Sequence, residues 1–315
     1  MNRDRRPAPP CRAARPVFGA VLGLLALAVP LAAIPAVAQE PTPGPEPDPS
    51  AADARVDSLL ALGRLQEAAW TLREVGDTAR ADSVLDRLEE ILRSRPSRAR
   101  PQAMDSQGVS YTWRLDHGQG VESVFKVDGS DIFCPECGAE REVGAYRVDR
   151  LLGFDLAPMT VFARIADDRG DTLSGSAMYW VHDARSSREA GVRKPDALHL
   201  FDAIIGNSDR HSDNWLVVDG RVVGIDHNRA FEYRPVTRPR TCWELQIDSI
   251  AEPGSLGAPW LRYRAVPADS VRSALDGIDS ALIRRFLAMR DEVMARVQAR
   301  AKDPDRALPL EHCAF

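Results

Sequence analysis

Five residues, taken in chain order, have the types and spacing to carry out phosphoryl transfer. Lys126 closes the alternating run Val124-Phe125-Lys126-Val127, and Glu142 lies on the helical segment that follows. Asp209 and Asn214 stand five apart in Gly206-Asn207-Ser208-Asp209-Arg210-His211-Ser212-Asp213-Asn214, and Asp226 ends the apolar run Val222–Ile225. Moving a phosphoryl group demands positioning and charge neutralisation more than covalent help. An ammonium can hold phosphates, a carboxylate can hold that ammonium, and a loop carboxylate can accept a hydroxyl proton. Asn214 and Asp226 offer hard oxygen ligands suited to Mg²⁺ or Mn²⁺, with phosphates and water completing the shell. By spacing alone a polar turn of this composition is more often only a turn; the order of residues around it is what gives it weight.

Each residue also has a plainer role open to it. Lysine is rare here: Lys126, Lys194 and Lys302 are the three lysines among 41 basic residues. A lysine kept inside an apolar strand, where arginine is the default, points to a need for a compact ammonium; the plainer role is a snorkelling edge-strand lysine. At 100° per residue Glu142 falls about 60° from Ala145, at the margin of the apolar stripe, whereas Glu140 points away. A first-turn glutamate also suits the helix dipole. Arg210 and His211 are expected to buttress the loop rather than react, and His227 to be structural.

Asp209-Arg210-His211-x-x-Asn214, followed by Ile225-Asp226-His227-Asn228-Arg229-Ala230-Phe231, resembles the DRHxxN and IDxxxxF motifs of the phosphatidylinositol 3-/4-kinase-like atypical kinases, and is similar also to the secretory-pathway (Golgi casein kinase) group. The segment from Arg141-Glu142-Val143 through Asp149-Arg150-Leu151-Leu152-Gly153-Phe154 is similar to the helix segment of those families. The resemblance covers about residues 106–235. It implies Asp209 as catalytic base, Lys126 on the phosphates of ATP with Glu142 as its partner, and Asn214 with Asp226 on Mg²⁺ or Mn²⁺. Gly118, Gly120 and Val181 join Lys126 as candidates for contact with the nucleotide, although Gly118-Gln119-Gly120 is short for a phosphate-cradling glycine loop.

The elements that must position these residues follow the same order. Residues 110–115 and 121–127 alternate at period 2 around the turn Asp116–Gly120, an antiparallel hairpin. Glu140–Leu152 reads as a helix stopped by Gly153. Pro158–Ile165 and Ser176–Val181 read as strands, Pro195–Ile205 as an apolar helix, and Trp215–Val218 with Val222–Ile225 as a hairpin about Asp219-Gly220. Residues 269–302 are helical again. The fold class is therefore α+β: a bilobal protein-kinase-like domain over 106–302, with a small sheet-rich lobe carrying one helix and a larger helical lobe. Before it, residues 52–95 predict two or three short helices broken at Gly63 and Gly76, a helical hairpin of tetratricopeptide flavour. One repeat's worth of sequence makes no solenoid, so a brace is favoured over a surface for a protein partner. Residues 39–51 and 96–105 read as linkers and 303–315 as a tail.

Residues 1–38 have the three parts of a secretory signal: a start rich in arginine, the apolar core Val17–Val29, and Ala36-Val37-Ala38 before Gln39. This predicts an exported bacterial protein, periplasmic or secreted, with no transmembrane segment after removal. The formal net charge is −5, and loss of the basic start makes it more negative, which argues against nucleic acid as a partner. Export ranks disulfides among Cys134, Cys137, Cys242 and Cys313 ahead of zinc at Cys134/Cys137. The acceptor is expected to bear a hydroxyl, on a protein, a glycan or a lipid headgroup. Because an exported domain meets little ATP, a pseudokinase-type binding scaffold and nucleotidyl transfer on the same fold stay open beside phosphoryl transfer.

Overall fold

The computed structural model describes residues 49–94, 102–103, 111–130, 138–166, 170–232 and 257–302. All of them belong to one unit, Pro47–Phe315. The expected signal segment and the five cysteines lie outside the described residues.

Three helices open the chain: α1 (Pro49–Ala61), α2 (Leu65–Glu74) and α3 (Thr78–Ser94). Gly63 and Gly76 break them where the sequence predicts, both at positive φ, a conformation that glycine adopts without a Cβ penalty. Every residue of α2 from Leu65 to Leu72 is buried. A helix apolar only on one face would leave its back to water; α2 is instead the middle helix, covered by α1 and α3 and by the sheet beyond. Trp70 and Leu72 are almost wholly buried, each worth about 1.5–3 kcal/mol of transfer free energy.

Next comes an antiparallel sheet of β1 (Gln102–Ala103), β2 (Thr112–Gly118), β3 (Val121–Val127), β4 (Thr160–Ala166) and β5 (Thr172–Tyr179), in the spatial order β1-β2-β3-β5-β4. Between β3 and β4 runs α4 (Ala139–Leu152), closed by Gly153 in the left-handed region. Phe125, Ala177 and Tyr179 are fully buried. They share one face, because Phe125 pairs with Ala177 and side chains two apart point the same way.

Beyond Tyr179 the chain passes through residues 180–184 into the second part. This part holds β6 (Arg185–Ser186), α5 (Ser187–Ala190), α6 (Asp196–Ile205), β7 (Trp215–Val218) and β8 (Arg221–Gly224), then α7 (Gly257–Ala265), α8 (Ala268–Ala274) and α9 (Ser280–Lys302). A small sheet, β6-β7-β8, meets α6 where Gly224 packs against Leu198. α6 is apolar on most sides and buries Leu198, Leu200, Phe201, Ile204 and Ile205; Gly206 closes it in the left-handed region. One hydrophobic cluster runs from α1 through α4 to α9, so the opening helices and the kinase-like part share a core. Among the described residues no helix is long and apolar enough to cross a membrane.

Candidate active site

Lys126 meets two carboxylates. Its Nζ donates to Glu142 Oε1 at 2.6 Å and to Asp226 Oδ1 at 2.6 Å. Strand β3 supplies the lysine, α4 the glutamate, and the segment after β8 the aspartate, so the three join the two parts of the molecule. The second oxygen of Glu142 accepts the backbone N–H of His227 at 3.0 Å, which fixes the glutamate between the lysine and the strand end. Burial would lower the Lys126 pKa, but the Asp226 and Glu142 carboxylates outweigh it and hold the ammonium above the ordinary lysine value. Burial likewise works against an ionised Asp226; Lys126 overcomes it and keeps that carboxyl below its usual range. Removing one carboxylate leaves Lys126 paired with the other, whereas removing the ammonium would leave two carboxylates facing each other without their shared cation.

Asp226 and Phe231 both take positive φ, 58° and 61°. Side chains with a Cβ adopt this region at a cost, and such strain gathers at functional sites. The surroundings hold the segment in place. Ile225 N–H donates to the Asn214 carbonyl at 3.0 Å, and Phe231 N–H to the Ile205 carbonyl at 2.6 Å. Arg141 donates to the Ala230 carbonyl at 3.0 Å. The Phe231 ring packs so close to α4 that a Cβ at Gly144 would collide with it; Gly144 is the residue that lets the ring in.

The loop after α6 carries the other two candidates. Asn214 closes a 3-10 turn, Ser212–Asn214, and its Nδ2 donates to the Asp209 carbonyl at 2.7 Å. That bond commits the amide nitrogen and leaves Oδ1 as the group able to meet a cation. Asp209 is half-buried, and burial, helped by Asp226, raises its pKa against the pull of His211 and Arg229.

Beneath the loop lies a buried polar hub that the sequence did not disclose. Asp202 on α6 is fully buried. It accepts from Arg210 at 3.0–3.1 Å, from Asn207 at 3.1 Å and from Lys194 at 3.0 Å. Burial would raise its pKa, but Arg210 and Lys194 hold it low. Arg210 also donates to the carbonyls of Asn214 and Ile225, so one guanidinium ties together the backbones that carry Asn214 and Asp226. This is the buttressing expected of Arg210. His227 is buried as well, its pKa pushed down to about 3 by burial, which suits a structural imidazole. The rarity of lysine was the only available pointer to Lys194.

The structure thus gathers Lys126, Glu142 and Asp226 in direct contact, with Asn214 and Asp209 on the adjoining loop. Val181 lies just past β5 and is buried. Gly118 and Gly120 do not join this cluster. Gly118 ends β2 and Gly120 lies just before β3, six residues from Lys126 and so roughly 20 Å along the strand. Gly120 packs instead against the backbone of Leu62, and Gly63 against that of Gln119. The short glycine turn serves as a seat for the α1–α2 corner.

Two comparisons bear on this arrangement. A family model for "Phosphatidylinositol 3- and 4-kinase" matches residues 183–243, the stretch from β6 past Asp226. A crystal structure of the Golgi casein kinase with Mn/ADP bound superposes with a TM-score of 0.50 at 16% identity, covering 72% of this chain and 78% of that one. A second structure of the Golgi casein kinase gives 0.50 at 15% identity, covering 72% and 77%. A Fam20 structure from hydra with sugar gives 0.48 at 15% identity, covering 71% and 92%. No curated protein sequence matches the chain. The fold is that of an atypical kinase.

Proposed function

We propose that this chain, folded as an atypical kinase, transfers the terminal phosphoryl group of ATP to a hydroxyl acceptor. The observation that carries this reading is Lys126 held between Glu142 and Asp226, with Asn214 fixed beside them by its bond to the Asp209 backbone. An ammonium clamped by a buried glutamate is a rigid cation, suited to orienting phosphates without reorganisation at the moment of reaction. Asp209 has the freedom and the raised pKa of a group that can take the acceptor's proton.

Divalent metal fits the residues present. Among the described residues no group of three or more His, Cys, Asp or Glu could hold an ion by itself. What exists is one carboxylate and one amide oxygen, the donor set of a Mg²⁺ or Mn²⁺ that relies on substrate phosphates for the rest of its shell. Asp226 and Asn214 would hold it, and when bound it would neutralise charge on the phosphates. Arg210 sets the relation between these two ligands through the carbonyls of Asn214 and Ile225.

The proposal includes export, as residues 1–38 predict, and acceptance of the phosphoryl by a protein, glycan or lipid hydroxyl. The test is mass spectrometry of the purified protein, and of candidate acceptors, after incubation with ATP and Mn²⁺. A gain of about 80 Da marks phosphoryl transfer. A gain of about 329 Da marks nucleotidyl transfer on the same scaffold, and absence of any nucleotide binding marks a binding module.

A further inference from the structure

The backbone of the sheet and of the chain between the two lobes contains polar groups that neither lobe satisfies. Met159 N–H, at the entry to β4, donates to Gln66 Oε1 at 3.0 Å. His182 N–H, in the connection that follows β5, donates to Glu67 Oε1 at 3.1 Å. The hydroxyl of Tyr179, the last residue of β5, donates to Glu67 Oε2 at 2.7 Å. Both acceptors belong to α2, and both are buried, Gln66 at 2% exposure and Glu67 at 6%. A carboxylate with both oxygens engaged across the end of β5 sets the position of Tyr179 and of His182, and so of the residues between them, which include Val181.

We propose that Glu67, outside the segment that carries the kinase motifs, is a positioning residue of the nucleotide cleft. This deepens the phosphotransfer reading and rests on it. Glu67 works from the side away from the chemistry. Tyr179 pairs with Ser123, three residues from Lys126, and an odd offset along a strand puts side chains on opposite faces of the sheet. Glu67 therefore has no route to the phosphates and acts only through the connection it holds.

The other contacts of α1–α3 make that hold rigid. The α1–α2 corner sits on the β2–β3 turn with glycine against backbone on both sides. On α2, Arg73 pairs with Asp155, and the Arg221 guanidinium of β8 lies 5.1 Å from the Trp70 ring centroid. On α3, Asp86 takes Arg150 of α4 at 2.6 Å. The three helices thus grip β2–β3, α4 and β8 at once, on both sides of the connection that Glu67 anchors.

The experiment uses the full chain and compares wild type with Glu67→Ala, Glu67→Gln, Tyr179→Phe and Glu74→Ala. Glu74 lies on the same helix, but its contact is an exposed ion pair with Arg221, of a kind that contributes little. Mn²⁺–ADP affinity is measured by calorimetry, beside Tm and the KM and kcat for ATP. Glu67→Ala should weaken Mn²⁺–ADP binding and raise KM about tenfold or more, with kcat changed less. Glu67→Gln keeps an acceptor for His182 N–H and should recover most of the affinity. Tyr179→Phe should fall between, and Glu74→Ala should match wild type. If Glu67→Ala fails to fold, Glu67→Gln and Tyr179→Phe decide, with losses of about twofold and threefold expected. Nucleotide binding indifferent to Glu67 and Tyr179 would overturn this proposal alone. A wild-type protein that binds no nucleotide would overturn the phosphotransfer reading together with it.

Discussion

At the scale of single residues, Asp209 and Asp226 are close in sequence and opposite in environment. Asp226 is held by Lys126 and stays well below the usual carboxyl range, whereas Asp209 is raised by burial and faces no cation at hydrogen-bond distance among the described contacts. On the proposed reading, a low and a raised carboxyl divide the work between ligand and base. Asp209→Asn is therefore expected to leave Mn²⁺–nucleotide binding near wild type and to cut turnover by about 10²–10⁴, the scale of a positioned general base. Steady-state kinetics beside calorimetry checks it. The residues that the structure gathers around Lys126 could be singled out because they stand in short local patterns: a lysine at a strand end, Asp209 and Asn214 in one loop, Asp226 after an apolar run. Asp202 and Gly144 could not. Asp202 is one acidic residue in an apolar helix until Arg210, Asn207 and Lys194 close on it, and Gly144 is a helix-interior glycine until the Phe231 ring arrives. Their meaning lies in contacts across space, which spacing along the chain does not record.

At the scale of elements, the strand and helix periods placed β2, β3, α4, β4, α6, β7 and β8 to within a few residues, because each is bounded by glycine or a polar turn. β5 begins at Thr172, ahead of the apolar run that suggested it, since its pairing with β4 reaches Ala166↔Thr172. The glycine turn Gly118–Gly120 shows how composition misleads: glycines suggest a phosphate cradle, but here they let the α1–α2 corner come within backbone contact. Helix α6 carries a pH dependence. His199 has its pKa lowered to about 4 by burial and by Lys194. A histidine kept neutral in the folded state takes up its proton only on unfolding below its ordinary pKa near 6.5. The stability it contributes is therefore present above about pH 6.5 and is lost as pH falls toward 4. Urea titrations between pH 7 and 4.5 should show a shallower loss of stability in His199→Asn than in wild type; parallel curves would remove His199 from the account.

At the scale of the whole molecule, the chain is a two-lobed kinase-like body with a third, helical layer built into it. The helical segment 49–94 was visible as amphipathic repeats, but nothing in those repeats said that Gln66 and Glu67 would satisfy the backbone of a sheet about 90 to 115 residues downstream. The cluster joining the lobes is Lys126 from the sheet, Glu142 from α4 and Asp226 from beyond β8, and the proposed activity depends on its acting as a site for nucleotide and metal. The most direct measurement is calorimetric titration of ADP into wild type and Asp226→Ala, with Mn²⁺ and with the ion chelated. Wild type is expected to bind ADP only with Mn²⁺ present, and Asp226→Ala to lose that Mn²⁺-dependent binding with the fold retained. Equal binding by the two proteins, or binding by wild type that ignores Mn²⁺, would contradict the proposed activity.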